Sequence, residues 1–279
     1  MLGGLALVYG ILVALFVGIG PQATYQTLVD TIQETGSSLF EGGWGKIGEA
    51  GLLYLSVASS GLTGSLTPEQ QIYAVMLGLM TWLTAVWLLR QRLAGHQVKL
   101  RDGLYSAGSP IVALLLLTLL LVLQLLPVAL AAIAYVAGET TGLLSGGVEA
   151  MLLWAAIALL ATLSLYWATS TLLAMIIVTV PGTYPMKALR VASDMAQGRR
   201  LRLLLRIVWL LGTVVIGSLI ILLPFILFDM ALKALIPALS WLPVVPVVLL
   251  IVPVVSLIWV STYVYMLYRG VIEDDATSR

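Results

Sequence analysis

Six apolar runs of about 20 residues or more, nearly free of charge, alternate along this chain with short basic stretches, and such runs cannot be left in water. They fall at roughly 2–20, 70–90, 109–136, 150–180, 207–228 and 243–268. As helices they would satisfy their own backbone hydrogen bonds across a bilayer. The expected fold is therefore all-α: an integral membrane bundle of six transmembrane helices in a single polytopic domain, residues 1–279. With 61% hydrophobic residues, 10% charged and a mean hydropathy of +1.07, the chain has too little polar surface for a water-soluble globule.

The charges orient the bundle. All but Lys46 and Lys233 of the 14 Lys and Arg lie in Arg90 to Arg101, in Lys187 to Arg206, or in the tail at Arg269 and Arg279. Basic residues are retained on the cytoplasmic side, so the segments 90–108 and 181–206 are expected inside, with both termini. Asp30, Glu34, Glu41, Glu49, Glu69, Glu139, Glu149 and Asp229 then fall outside. The membrane expected is the cytoplasmic membrane of a bacterium.

The first run has no basic leader and is read as a retained helix rather than a cleaved signal. Ala6, Gly10, Ala14 and Gly18 recur every fourth residue, a small-residue stripe suited to packing in the bundle or to a protein partner or second copy of the chain. Residues 21–69 form an outer insertion. Tyr25, Leu28, Val29 and Ile32 oppose Gln26, Asp30 and Gln33 at helical spacing, which marks an amphipathic helix. Residues 47–58 are too short to span and are read as interfacial or re-entrant.

Local signals set several helix ends. Thr67-Pro68-Glu69-Gln70 supplies an N-cap, a proline at the first helical position and a capping box through Gln70. The third and fourth runs exceed the bilayer's needs, so they should tilt, kink at Pro127, or project beyond it. Pro243, Pro246 and Pro253 suggest a bent or partly unwound outer half of the sixth. Leu125-Leu126-Pro127 and Leu222-Leu223-Pro224 end similarly laid-out segments, either an internal duplication or a coincidence of leucine-rich helices.

The most distinctive stretch is Thr183 to Arg200. Lys187, Arg190, Asp194 and Gln197 share one helical face, with Leu189, Ala192, Met195 and Ala196 opposed, which is the pattern of an inner interfacial helix. Pro185 fits its first turn and Gly198 its C-terminal cap. Arg199, Arg200, Arg202 and Arg206 then lead into the next span. Cations so close to a membrane attract anionic head groups, so Lys187, Arg190, Arg199, Arg200, Arg202 and Arg206 form the candidate contact for lipid or a partner; the plainer role of the same residues is to anchor topology.

Pro185, Ala188-Leu189-Arg190, Ser193, Gly198-Arg199-Arg200 and the closing Tyr263-Val264-Tyr265-Met266-Leu267-Tyr268-Arg269 give residues 70–270 a pattern that resembles a set of bacterial six-helix membrane proteins. These include the YciC-like proteins and the membrane domain fused to some glycerophosphodiester phosphodiesterases. The resemblance implies a non-catalytic membrane domain; residues 21–69 have no counterpart in it. This chain carries no phosphodiesterase domain, so that activity does not come with the resemblance.

Motifs for chemistry are sparse. There is no cysteine, one histidine (His96), no glycine-rich phosphate loop, no His-Glu-x-x-His and no Gly-x-Ser-x-Gly. His96 sits among basic residues and reads as a surface side chain. No ionisable residue falls near the middle of a run, where transporters and pumps keep theirs. Gln124, Ser164 and Thr169 either line a polar path or serve helix packing. Asp229 and Lys233 read as an i, i+4 pair. The expectation is a protein that is not an enzyme, without cofactor, metal or nucleic-acid partner. It would be a membrane scaffold or accessory factor acting on anionic lipid or a partner through its basic surface, the alternative being a permease or lipid transporter with a path between the fourth and sixth spans.

Overall fold

The structure is a computed structural model that describes residues 1–18, 67–142, 146–180, 182–236, 242 and 244–277. The insertion up to residue 66, with Lys46 and the segment 47–58, and the tail cation Arg279 lie outside the described residues. Among the described residues eight helices follow in order: α1 Leu2–Phe16, α2 Pro68–Leu93, α3 Leu100–Ser106, α4 Ile111–Thr140, α5 Val148–Ile177, α6 Pro185–Ala196, α7 Arg200–Leu235 and α8 Val244–Thr277. No strand occurs among the described residues.

Helices α2, α4, α5, α7 and α8 are long and apolar enough to cross a membrane. The protein is thus multi-pass and helical. With 15 residues, α1 is a shorter apolar helix, about 22 Å against the roughly 30 Å of a hydrocarbon core. Helix α2 opens as its sequence dictates. The Thr67 N–H donates to Gln70 Oε1 at 2.9 Å, and the Gln70 N–H donates to Thr67 Oγ1 at 3.4 Å, around Pro68. Helix α4 continues through Pro127, α7 through Pro224 and α8 through Pro246 and Pro253, so no unwinding occurs within Val244–Thr277.

The chain forms two compact units. One comprises residues 1–82 and 213–259, the other 83–212 and 260–279. In the first, α1 buries Leu5, Tyr9 and Gly10 and exposes Leu7, Ile11 and Leu15. Phe16 meets Tyr73 of α2 with ring centroids 5.6 Å apart. The small-residue stripe of α1 is not tightly engaged: a Cβ added at Gly10 would meet no atom within 4 Å among the described residues. Leu222 and Ile226 of α7 pack with Val245 and Val252 of α8, joined by Met230, Val248 and Leu249.

In the second unit α4 and α5 run antiparallel, with Tyr135 edge-on to Trp154 at 5.6 Å. Helix α5 has two characters. Its first half exposes Val148, Met151, Leu152 and Leu159, whereas Ser164, Ala168, Thr169, Thr171 and Leu173 to Ile177 are buried. Helix α6 packs beside α5 and touches α4. Its buried ridge is Ala188, Ala192 and Ala196, each fully enclosed, while Leu189 and Met195 are only half-buried. Of the apolar face expected from sequence, Ala192 and Ala196 are buried, Leu189 and Met195 are less so, and Ala188, not included there, completes the ridge. Alanine has no bulk to hold helices apart, so the ridge lets α6 approach its neighbours closely. Helix α3 comes still nearer to α2. A Cβ on Gly103 would stand 3.1 Å from Leu88 and 3.2 Å from the Thr84 methyl.

Candidate functional site

The basic stretches converge in the second unit. Arg90, in the last turn of α2, donates to the Thr179 carbonyl oxygen at 3.0 Å and to the Thr179 hydroxyl, just past the end of α5. Arg199 donates to the Val271 carbonyl of α8 at 3.4 Å, and the Tyr263 hydroxyl donates to the Arg206 carbonyl at 3.4 Å. One end of this unit therefore gathers the close of α2, α5 and α8, the start of α7, and α6.

Arg200 is the most constrained cation at that end. One guanidinium nitrogen donates to the Tyr166 hydroxyl at 2.8 Å and the other to Ser193 Oγ at 2.9 Å. Its Cζ also lies 4.9 Å from the centre of the Tyr166 ring, a cation–π contact. A planar fork suits this double task, so Arg200 fastens α5, α6 and α7 together. Gly198 makes the join possible. At φ +73° it occupies the left-handed region, which glycine enters without the cost of a Cβ, and it turns the chain from α6 into α7.

The six candidate cations thus divide. Arg199 and Arg200 tie helices, as does Arg90, which the sequence reading had placed only in a topological role. Lys187 and Arg190 on α6, and Arg202 and Arg206 on α7, are exposed, and their side chains have no hydrogen-bond or ion-pair partner among the described residues. On α7 they adjoin exposed Leu201, Leu205 and Trp209. His96 is also exposed, in the turn after α2.

Of the three residues proposed as a polar path, Gln124 and Ser164 make hydrogen bonds between α4 and α5, and Thr169 bonds within α5. Ser164 Oγ donates to the Gln124 backbone carbonyl at 2.5 Å, and Thr171 Oγ1 donates to Gln124 Oε1 at 2.7 Å. Gln124 directly follows Leu123, the residue whose carbonyl loses its helical donor at Pro127. Thr169 is buried and turns back to the Tyr166 carbonyl at 2.7 Å on its own helix. The spacing of Ser164 and Thr171, seven apart on one helical face, was the available signal.

In the first unit, Lys233 Nζ meets Asp229 Oδ2 at 2.7 Å. Asp229 is fully buried, and its Oδ1 has no hydrogen-bond partner among the described residues. It stands seven residues after Leu222 and three after Ile226, on the same buried stripe of α7. Among the described residues no three His, Asp or Glu side chains gather as metal ligands.

Comparison with protein-family models, with curated proteins and with solved structures returns no match.

Proposed function

We propose that this chain is a non-enzymatic scaffold or accessory protein of a bacterial cytoplasmic membrane, which engages anionic lipid through a basic surface on the cytoplasmic side. The observation that carries the reading is the division of the cations: Lys187, Arg190, Arg202 and Arg206 are exposed and without a partner among the described residues, although neighbouring arginines tie helices together. Topology alone requires positive charge, not a group of unpaired cations beside exposed apolar side chains. Each such cation near an anionic bilayer is worth about 1 kcal/mol of attraction. Membership in a six-helix set resembling the YciC-like proteins belongs to the same proposal, with α1 as the sixth span and both termini inside.

The test is lipid retention by native mass spectrometry of purified protein. Changing all four open cations to Gln should remove most of the preference for anionic over zwitterionic lipid while leaving the thermal unfolding midpoint in detergent unchanged. An unaltered preference overturns the proposal. The permease alternative requires a water-reachable path at Gln124, Ser164 or Thr169, and the hydrogen bonds of Gln124 with Ser164 and Thr171 favour packing instead.

A further inference from the structure

The first three turns of α7 carry a more specific arrangement than a diffuse basic surface. At 100° per residue, Leu201, Leu205 and Trp209 follow one another around the helix, and Arg202 and Arg206 continue the same sector. Trp209 is seven residues from Arg202 and so lies almost directly beneath it. The sector is open: Leu201 is 72% exposed and Trp209 69%, and both arginines are exposed without a partner among the described residues. Gly212 closes the sequence, and a Cβ built there would meet no atom within 4 Å among the described residues, which leaves a shallow notch below Leu205. From Leu201 to Gly212 the rise is about 16 Å, close to the roughly 15 Å of one hydrocarbon leaflet.

We infer that this face of α7 binds one anionic glycerophospholipid, with its phosphate between Arg202 and Arg206 and an acyl chain along Leu205, Trp209 and the Gly212 notch. The inference rests on the lipid-contact reading above and narrows it to one helix face and one ligand class. Charge complementarity selects the occupant. Two cations one turn apart match a single phosphate, and the apolar residues on the bilayer side of them match a chain that must descend into hydrocarbon. A soluble phosphate would make no use of Trp209 or the notch, and a zwitterionic lipid would add a cation to the pair. Arg200 is a positioning residue here, because its bonds to Tyr166 and Ser193 fix the start of α7.

The experiment uses the full chain in vesicles and reads Trp209 emission as the difference between the wild type and Trp209→Phe. Brominated phosphatidylglycerol or brominated phosphatidylcholine is the quencher, at equal mole fraction. Enrichment of an anionic neighbour by about fivefold per unpaired arginine should make the Trp209 component markedly more sensitive to the brominated anionic lipid. That excess should vanish in Arg202→Gln/Arg206→Gln and persist in Arg202→Lys/Arg206→Lys. Equal quenching of wild-type Trp209 by the two lipids, in protein that still retains anionic lipid, overturns this site and leaves the broader reading standing. Equal quenching together with no retained anionic lipid overturns both.

Discussion

Single residues at the helix crossings set the tolerances of this protein. Gly103 is the sharpest, since any Cβ there falls against Leu88 and Thr84 at distances that demand movement. Gly103→Val should cost about 1–3 kcal/mol by overpacking, seen as a lowered unfolding midpoint; a midpoint equal to wild type would show that α3 is free to shift away from α2. The Asp229–Lys233 pair offers a second case. Spacing alone reveals the pair, but not that the carboxylate is buried, because burial depends on tertiary packing. Lys233→Met should destabilise by about 3 kcal/mol, the low end for breaking a buried pair, since Lys233 keeps part of its surface in contact with solvent. A double replacement, Asp229→Leu with Lys233→Met, should recover most of that loss. A single variant as stable as wild type would mean that the carboxylate finds another partner.

At the level of elements, the long helices and their caps were legible because apolar length and the Thr67–Gln70 box act locally. Helix α6 was legible as amphipathic, with Lys187, Arg190, Asp194 and Gln197 on its exposed face and Ala192 and Ala196 on its buried one, but the expected apolar face also took in the half-buried Leu189 and Met195 and omitted Ala188. Hydropathy ranks leucine and methionine above alanine, whereas close helix packing selects the small side chain. Ala192→Leu should therefore destabilise by about 1–3 kcal/mol despite adding apolar surface; a gain in stability would place α6 farther from α5 than the buried ridge requires. The Gln124 contacts were half-legible. The polar residues were identifiable, but whether they faced a path or one another depended on the register between α4 and α5. A double-mutant cycle on Gln124→Leu and Thr171→Val should show a coupling of about 0.6 kcal/mol, the average for hydrogen bonds between membrane helices. Additive losses would mean that the bond at 2.7 Å contributes nothing to stability.

Across the whole molecule, the charge pattern of the sequence meets a corresponding structural fact: the ends of α2, α5 and α8 and the start of α7 are tied together by the arginines of the basic stretches and by Tyr263. The pattern could not tell which cations were ties and which were open, because that depends on acceptors such as Thr179 and Val271, distant in sequence. The compact units do not follow a first-half and second-half division, since each takes residues from both parts of the chain, so the Leu-Pro repeat does not mark out two compact halves. The lipid-binding account depends on the basic end facing the cytoplasm, and the lack of native cysteine makes that directly measurable. Single cysteines at His96, Lys187 and Thr141 can be labelled with a membrane-impermeant maleimide in intact and permeabilised cells. The account predicts that positions 96 and 187 react only after permeabilisation and that 141 reacts in intact cells; labelling of 96 or 187 in intact cells, or protection of 141 together with them, would contradict it.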